Sequence, residues 1–342
     1  MSEGPEILGL ARRLDRVLRG AELLQIETRL KKARLWLDAH LGAFDGARFE
    51  RVEANGKHLL FRLDGDRWIH CHLLMFGAWR VHRLGTVLEP DPTVRAELTT
   101  TRARLRLIRG QVLDFGLGDP YAELPVLRAL GPDTLAEPFD EARFRALAAT
   151  PPRARQEVAV ALLDQTFANG IGNYLKSEIL FRARLDPWRT LGSLADDELG
   201  RLIEQLVAVP RIALATRGSS IGPAAELAMG AEAPKGRFRH WVFRRSGHPC
   251  LQCGAKVRRA RQGPLPGRWT FWCPVCQRSA GPPEPIPDVT IDPTPLERAT
   301  PDRLVAAMAD ADTLTADRPA EEPVADGVPD RAGKAPLRIV DS

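Results

Sequence analysis

Four of the five cysteines fall in two Cys-x-x-Cys pairs, Cys250-Leu251-Gln252-Cys253 and Cys273-Pro274-Val275-Cys276, with nineteen residues between them. Four thiolates at this spacing suit tetrahedral Zn²⁺ at roughly 2.3 Å per sulfur. The competing chemistry is a pair of disulfides. The spacing is a zinc signature and Ser2-Glu3-Gly4 does not open a secretion signal, so metal is the better reading. With all four positions filled by protein, one Zn²⁺ per chain would be structural, with no place left for a reactive water. Two further groups could do chemistry. Glu3 and Glu6 sit at the positive end of a predicted helix, where carboxylates either move protons or cap the helix; taken alone they read as caps. Asn169-Gly170-Ile171-Gly172-Asn173 makes a tight glycine turn before a helix, either an ordinary connection or a set of exposed N–H groups ready for a phosphate.

The elements that must hold these groups can be read in order. Residues 5–19 predict a helix, with Pro5 in its first turn, an apolar stripe of Ile7, Leu10, Leu14, Val17 and Leu18, and Gly20 at its end. Its other face carries Arg12, Arg13, Arg16 and Arg19. From about 22 to 116 the pattern is short alternating runs, with strands expected at 59–63, 68–73, 79–82 and 102–108; many short strands with turn signals suggest a β-sandwich. Beyond Pro132 the chain reads as helical, at roughly 139–149, 153–167, 172–183, 195–207 and 210–216. Gly, Ala, Ser and Pro over 218–236 predict a mobile loop. Between the cysteine pairs, Lys256–Arg259 and Trp269–Trp272 alternate as two strands joined by a turn from Gly263 to Gly267, a ribbon carrying Arg258, Arg259, Arg261 and Arg268.

The net charge of +5 hides an asymmetry. Residues 281–342 hold 6 basic and 13 acidic side chains, net −7, which leaves +12 on residues 1–280. A basic body points to a nucleic-acid partner gripped through phosphates. The acidic, Pro-rich tail has little to bury and predicts disorder, with one short helix at 302–312. No apolar run is long enough for a membrane span, and Cys71 as the lone remaining thiol fits a reducing cytoplasm.

Several motifs, in order over residues 1–277, resemble the Fpg/Nei family of DNA glycosylases, and most closely its endonuclease VIII (Nei) branch. They are Ser2-Glu3-Gly4-Pro5-Glu6-Ile7 at the start, the Asn55-Gly56-Lys57 turn, the run from Leu162 through Gly170-Ile171-Gly172-Asn173-Tyr174-Leu175 to Leu180, then Ala215–Gly218, Phe238–Phe243 and Arg268–Cys276. The resemblance implies an α+β protein. Residues 1–130 would form a catalytic β-sandwich with its N-terminal helix, 131–235 a helix-two-turn-helix domain, 236–279 a zinc ribbon and 280–342 the tail.

The resemblance also implies a mechanism, acting as a monomer on double-stranded DNA that carries a damaged base or abasic site. The amine of Ser2, freed by removal of Met1, would attack C1′ of a flipped nucleotide, release the base through a Schiff base and then nick the strand. Glu3 would be the acid–base carboxylate with Glu6 beside it. Lys57 would sit at a flanking phosphate and position the nucleophile. Asn173 and Arg268 would grip the phosphates around the lesion, Arg268 also assisting elimination, and Arg128 and Lys176 would complete the cationic DNA contacts. Leu74, Met75 and Phe76 would wedge into the gap left by the flipped base. Three departures stand out: Ser2 replaces the usual proline, Leu74 replaces a polar residue, and Asp114–Pro120 replaces the purine branch's Asp-Pro-Arg-Arg-Phe-Gly strand. The last favours oxidised pyrimidines over 8-oxoguanine. A different class of protein, a catalytically inactive clamp for lesions or junctions, would keep the DNA grip without the amine chemistry.

Overall fold

The computed structural model describes residues 2–222, 239–279 and 281–282, all within one unit that runs from Met1 to Pro283. Most of the loop expected at 218–236, the tail beyond 282 and the helix expected at 302–312 lie outside the described residues.

Helix α1 spans Gly4–Leu18 and buries Ile7, Leu10, Ala11, Leu14 and Leu18, the stripe expected from the sequence. Its start is tied by the Glu6 carboxylate, which accepts the Glu3 N–H at 3.0 Å. There follow β1 (Leu23–Thr28), α2 (Lys31–Ala39), β2 (Phe49–Asn55), β3 (His58–Leu63), β4 (Arg67–His72), β5 (Ala78–Arg83), β6 (Val94–Thr100), β7 (Ala103–Ile108) and β8 (Val112–Leu117). The strands form two antiparallel four-stranded sheets, ordered β1-β6-β7-β5 and β2-β3-β4-β8. Leu59, Phe61, Ile69 and Leu113 from one sheet meet Leu23, Ile26, Leu98, Leu105 and Leu107 from the other, and α1 joins the same core. Helix α2 interrupts a stretch expected to be all strand. It has no side-chain N-cap and buries only Ala33 and Leu37, one turn apart, so its signal is faint against the surrounding alternation.

The helical part holds two four-residue turns, α3 (Pro120–Glu123) and α4 (Pro125–Arg128), then α5 (Glu141–Ala148), α6 (Pro151–Ala154), α7 (Val158–Ala161), α8 (Asn173–Arg182) and α9 (Asp196–Ala215). The helix expected over 153–167 is broken at Gln156-Glu157, where the backbone instead pairs with Thr190: Val158 N donates to Arg189 O, and Leu191 N to Gln156 O. The two pieces expected at 195–207 and 210–216 are one helix. Pro210 lies inside it, and burial of Leu202, Leu206, Val209, Pro210 and Ala213 along one side outweighs the local helix-breaking preference.

The ribbon strands are β9 (Arg258–Gln262) and β10 (Arg268–Trp272), paired antiparallel from Arg268↔Gln262 to Trp272↔Arg258. β9 starts later than expected because Lys256 and Val257 are used up in the cysteine knuckle, where Pro249 bridges Lys256 and Gly247 N donates to Val257 O. The ribbon does not stand apart: Val257, Phe271, Cys250, Cys273 and Cys276 share one apolar core with Leu175, Ile179, Leu202 and Leu206 of α8 and α9. No described helix is long and apolar enough to cross a membrane.

Candidate active site

The start of the chain, the β2–β3 turn, the glycine turn before α8 and the first residue of β10 converge. Glu3 is 1% exposed, and its carboxylate accepts three backbone N–H groups from the beginning of α8: Gly172 at 2.8 Å, Tyr174 at 3.0 Å and Leu175 at 3.2 Å. The N–H groups expected to be free for a phosphate are therefore occupied by the protein's own acid. Glycine is required at 172, where a Cβ would lie 2.3 Å from Glu3 Cδ. The Gly4 N–H reaches Gly170 O at 2.9 Å, and Gly170 sits at φ +93°. Burial pushes the Glu3 carboxyl up to about 7, against the pull of Lys57 and the α8 N–H groups that favour the anion.

Glu6 is also shifted up, first by burial. One of its oxygens takes the Glu3 N–H and the other accepts the Tyr174 hydroxyl at 2.9 Å. Both oxygens are thus spent on protein donors, one at the amino terminus and one on α8.

Lys57 tips the β2–β3 turn, which Gly56 makes at φ +57° and Asp133 holds by accepting the Gly56 N–H at 2.8 Å. Lys57 Nζ donates to Ile171 O at 2.6 Å, in the same glycine turn that meets Glu3. Burial lowers the Lys57 pKa, Glu3 opposes that shift, and Arg268 adds to it.

Lys176 is not a surface cation. It is 1% exposed, and its Nζ donates to Asn173 Oδ1 at 3.0 Å, Thr270 Oγ1 at 2.9 Å and Trp269 O at 3.2 Å. It is a strut between α8 and β10, its Nζ spent on three protein acceptors. Burial lowers its pKa to about 7, with Glu3 opposing and Arg268 reinforcing.

Arg268 opens β10 and is exposed. Behind it, Arg259 and Arg261 lie over the Trp269 ring at 4.6 Å and 4.3 Å. Asn173 begins α8, half-buried, its Oδ1 taken by Lys176. Arg128 is exposed at the end of α4. Leu74, Met75 and Phe76 follow β4 and are 38%, 54% and 67% exposed, an apolar tip with Leu74 at φ +52°.

Sequence reasoning missed a buried polar chain beside Lys57. His58 Nδ1 lies 2.9 Å from His70 Nε2, His70 Nδ1 is 3.0 Å from Asp114, and Asp114 pairs with Lys32 at 2.6 Å. His72 accepts the Leu74 N–H at 3.1 Å and so braces the apolar tip. Nothing in the sequence gives the β3–β4 register, which sets His58 opposite His72 and Leu60 opposite His70 and so brings the rings together.

At the ribbon, the four cysteines are free and their Sγ atoms all lie within 4.8 Å of one another. A sulfur tetrahedron around Zn²⁺ has edges of about 3.8 Å. The Cys250–Cys276 and Cys253–Cys273 separations of 3.9 and 3.4 Å bracket that figure, and both are far longer than a disulfide.

Residues 1–116 match the model of the formamidopyrimidine-DNA glycosylase N-terminal domain, and 130–224 match the formamidopyrimidine-DNA glycosylase H2TH domain. The formamidopyrimidine-DNA glycosylase of Thermus thermophilus is 35% identical over 282 residues, covering 81% of this chain and 98% of that protein. Endonuclease 8 of Pectobacterium atrosepticum is 31% identical over 277 residues, covering 81% of this chain and all of its own. The fold matches the crystal structure of Lactococcus lactis formamidopyrimidine-DNA glycosylase bound non-covalently to DNA containing an AP site, with a TM-score of 0.66 at 23% identity over 81% of this chain and 99% of that one. The same relative is also known in complex with DNA containing an oxidised pyrimidine. Two domain models in the expected order, full-length relatives and a shared fold place this chain in the Fpg/Nei family of DNA glycosylases.

Proposed function

We propose that the protein is a base-excision DNA glycosylase with AP lyase activity, acting as a single chain on double-stranded DNA with a damaged base or abasic site. The observation that carries this reading is Glu3: a buried carboxyl with a pKa near neutrality, one residue from the amine that removal of Met1 would free. A clamp that only binds DNA has no use for such a group. The Ser2 amine, with an ordinary α-amino pKa of about 7.7–8.0, has an appreciable neutral fraction at pH 7 and attacks C1′. Protonated Glu3 delivers its proton as the sugar opens, and the half-buried Lys57 and exposed Arg268 hold the flanking phosphates with Asn173. Leu74, Met75 and Phe76 fill the gap in the stack, and Arg128 adds a distant phosphate contact. The Asp114–Pro120 run, which stands where the purine branch has its Asp-Pro-Arg-Arg-Phe-Gly strand, favours oxidised pyrimidines, on bacterial DNA in the cytoplasm. Cys250, Cys253, Cys273 and Cys276 hold one Zn²⁺ whose contribution is folding of the ribbon that carries Arg268.

The test is borohydride trapping on duplexes carrying thymine glycol, 5-hydroxycytosine, 8-oxoguanine or an abasic site. Mass spectrometry should place the reduced adduct on Ser2, and pyrimidine lesions should be released fastest. Tight binding with no adduct and no base release on any lesion would instead establish an inactive clamp.

A further inference from the structure

The residue at position 2 is not proline but an amino alcohol, and the protein holds its backbone rigidly. The Glu3 N–H is bound to Glu6, the Glu3 side chain to α8, and the Gly4 N–H to Gly170. Ser2 itself is half-buried, and among the described residues its hydroxyl has no hydrogen-bond partner. Once the amine has condensed with C1′, the covalent path from that carbon through N, Cα and Cβ to Oγ closes a five-membered ring. We propose that the Ser2 hydroxyl is a second catalytic group, which adds to C1′ of the Schiff base and parks the abasic nucleotide as an oxazolidine; this rests on the Ser2 amine being the nucleophile.

The step balances without a co-reactant. Oγ forms a bond to C1′, the π pair of C1′=N becomes the N–H bond, and the hydroxyl proton ends on that nitrogen. Nothing is oxidised or reduced, and the ring reopens by the reverse path. Its consequence is on strand nicking. Elimination of the 3′ phosphate needs a base to take a C2′ proton while the C–H electron pair moves into the C=N bond, and a saturated C1′ offers no such sink. Addition is intramolecular, so it competes at high effective concentration with that deprotonation. Proline cannot do this, because its side chain ends in its own ring, and alanine lacks the oxygen. The protein would therefore nick slowly and stay bound over the abasic site, with elimination waiting on reopening of the ring.

The experiment uses the full-length, zinc-loaded protein and a duplex with one abasic site, comparing wild type with Ser2→Ala, Ser2→Thr and Ser2→Cys. The reading is the ratio of strand nicked in a fixed interval to intact-strand adduct trapped to completion by borohydride added at its end, as the ring reopens, with adducts mapped by mass spectrometry. Ser2→Ala should raise that ratio on the order of tenfold, since the intramolecular competitor is gone, while Ser2→Thr, which keeps the hydroxyl, should hold it well below the Ser2→Ala value. Ser2→Cys, whose sulfur is the better nucleophile, should give a thiazolidine that survives denaturation without borohydride. With ¹³C at C1′, wild type should show a saturated carbon bonded to nitrogen that is missing in Ser2→Ala. An adduct on Ser2 with equal ratios for wild type and Ser2→Ala would overturn the hydroxyl's role alone. An adduct on Lys57, or none, would overturn the amine reading beneath it.

Discussion

At neutral pH the Glu3 carboxyl is divided between its two protonation states, because removal from water outweighs the three N–H donors and Lys57 that hold its anion. The chemistry asks for the opposite pairing at its neighbour, a protonated acid beside a neutral amine. The competent fraction of Glu3 falls as pH rises through about 7, and that of the amine falls as pH drops below its own pKa. Base release should therefore follow a narrow bell around neutrality. Glu3→Gln should lower base release by about 10²- to 10⁴-fold, leave binding nearly intact and erase the alkaline limb from whatever activity remains. A pH–rate profile of that variant which keeps the limb would assign it to another group.

Between α8 and β10, one buried ammonium does the work of a hinge pin. Lys176→Met keeps the bulk but leaves Asn173 Oδ1, Trp269 O and Thr270 Oγ1 without their donor, at a cost of about 1–3 kcal/mol. Because β10 begins with Arg268, strand nicking should suffer more than base release, which a product-ratio assay reads directly. The pH dependence has a definite sign. The folded-state pKa of Lys176 is depressed to about 7 from 10.5, so between those values the unfolded chain binds more protons, and this residue's contribution to stability rises with pH. Below about 7 the full cost of the buried cation is present. Melting temperatures of Lys176→Met should lack that rise. The ribbon offers a second test at the same scale: chelating the metal should free the hairpin and abolish DNA binding, while the β-sandwich, whose core is separate, keeps its circular dichroism. A zinc-free preparation that binds DNA fully would refute the assignment.

On the whole molecule, the +12 of residues 1–280 should make affinity fall steeply with salt, and removal of residues 281–342, with their −7, should leave affinity equal or higher. Fluorescence anisotropy across a salt series measures both; outright loss of binding on truncation would make the tail a contact surface. What could be read from the sequence was local. The cysteine spacing, the α1 stripe, the Gly56-Lys57 turn and the apolar run at Leu74–Phe76 carry their meaning within a few residues. The burial of Lys176, the use of the glycine turn by Glu3 and the His58–His70–Asp114 chain arise between segments distant in sequence, where local pattern holds no signal. Pro210 inside α9 shows the same limit from the other side, a strong local signal overruled by packing.

The bonds from Glu3 to Gly172, Tyr174 and Leu175 join residues 169 to 172 positions apart. Contacts of such separation form late, because the entropy of closing the intervening loop must be met first. A chain emerging from the ribosome therefore presents its amino terminus long before α8 exists to tune the acid beside it. An unfinished or partly unfolded copy carries an ordinary amine and an ordinary glutamate, with no grip on a nucleotide. On the proposed mechanism, catalysis thus waits until α8 has been made and folded against the amino terminus, a safeguard that needs no inhibitor.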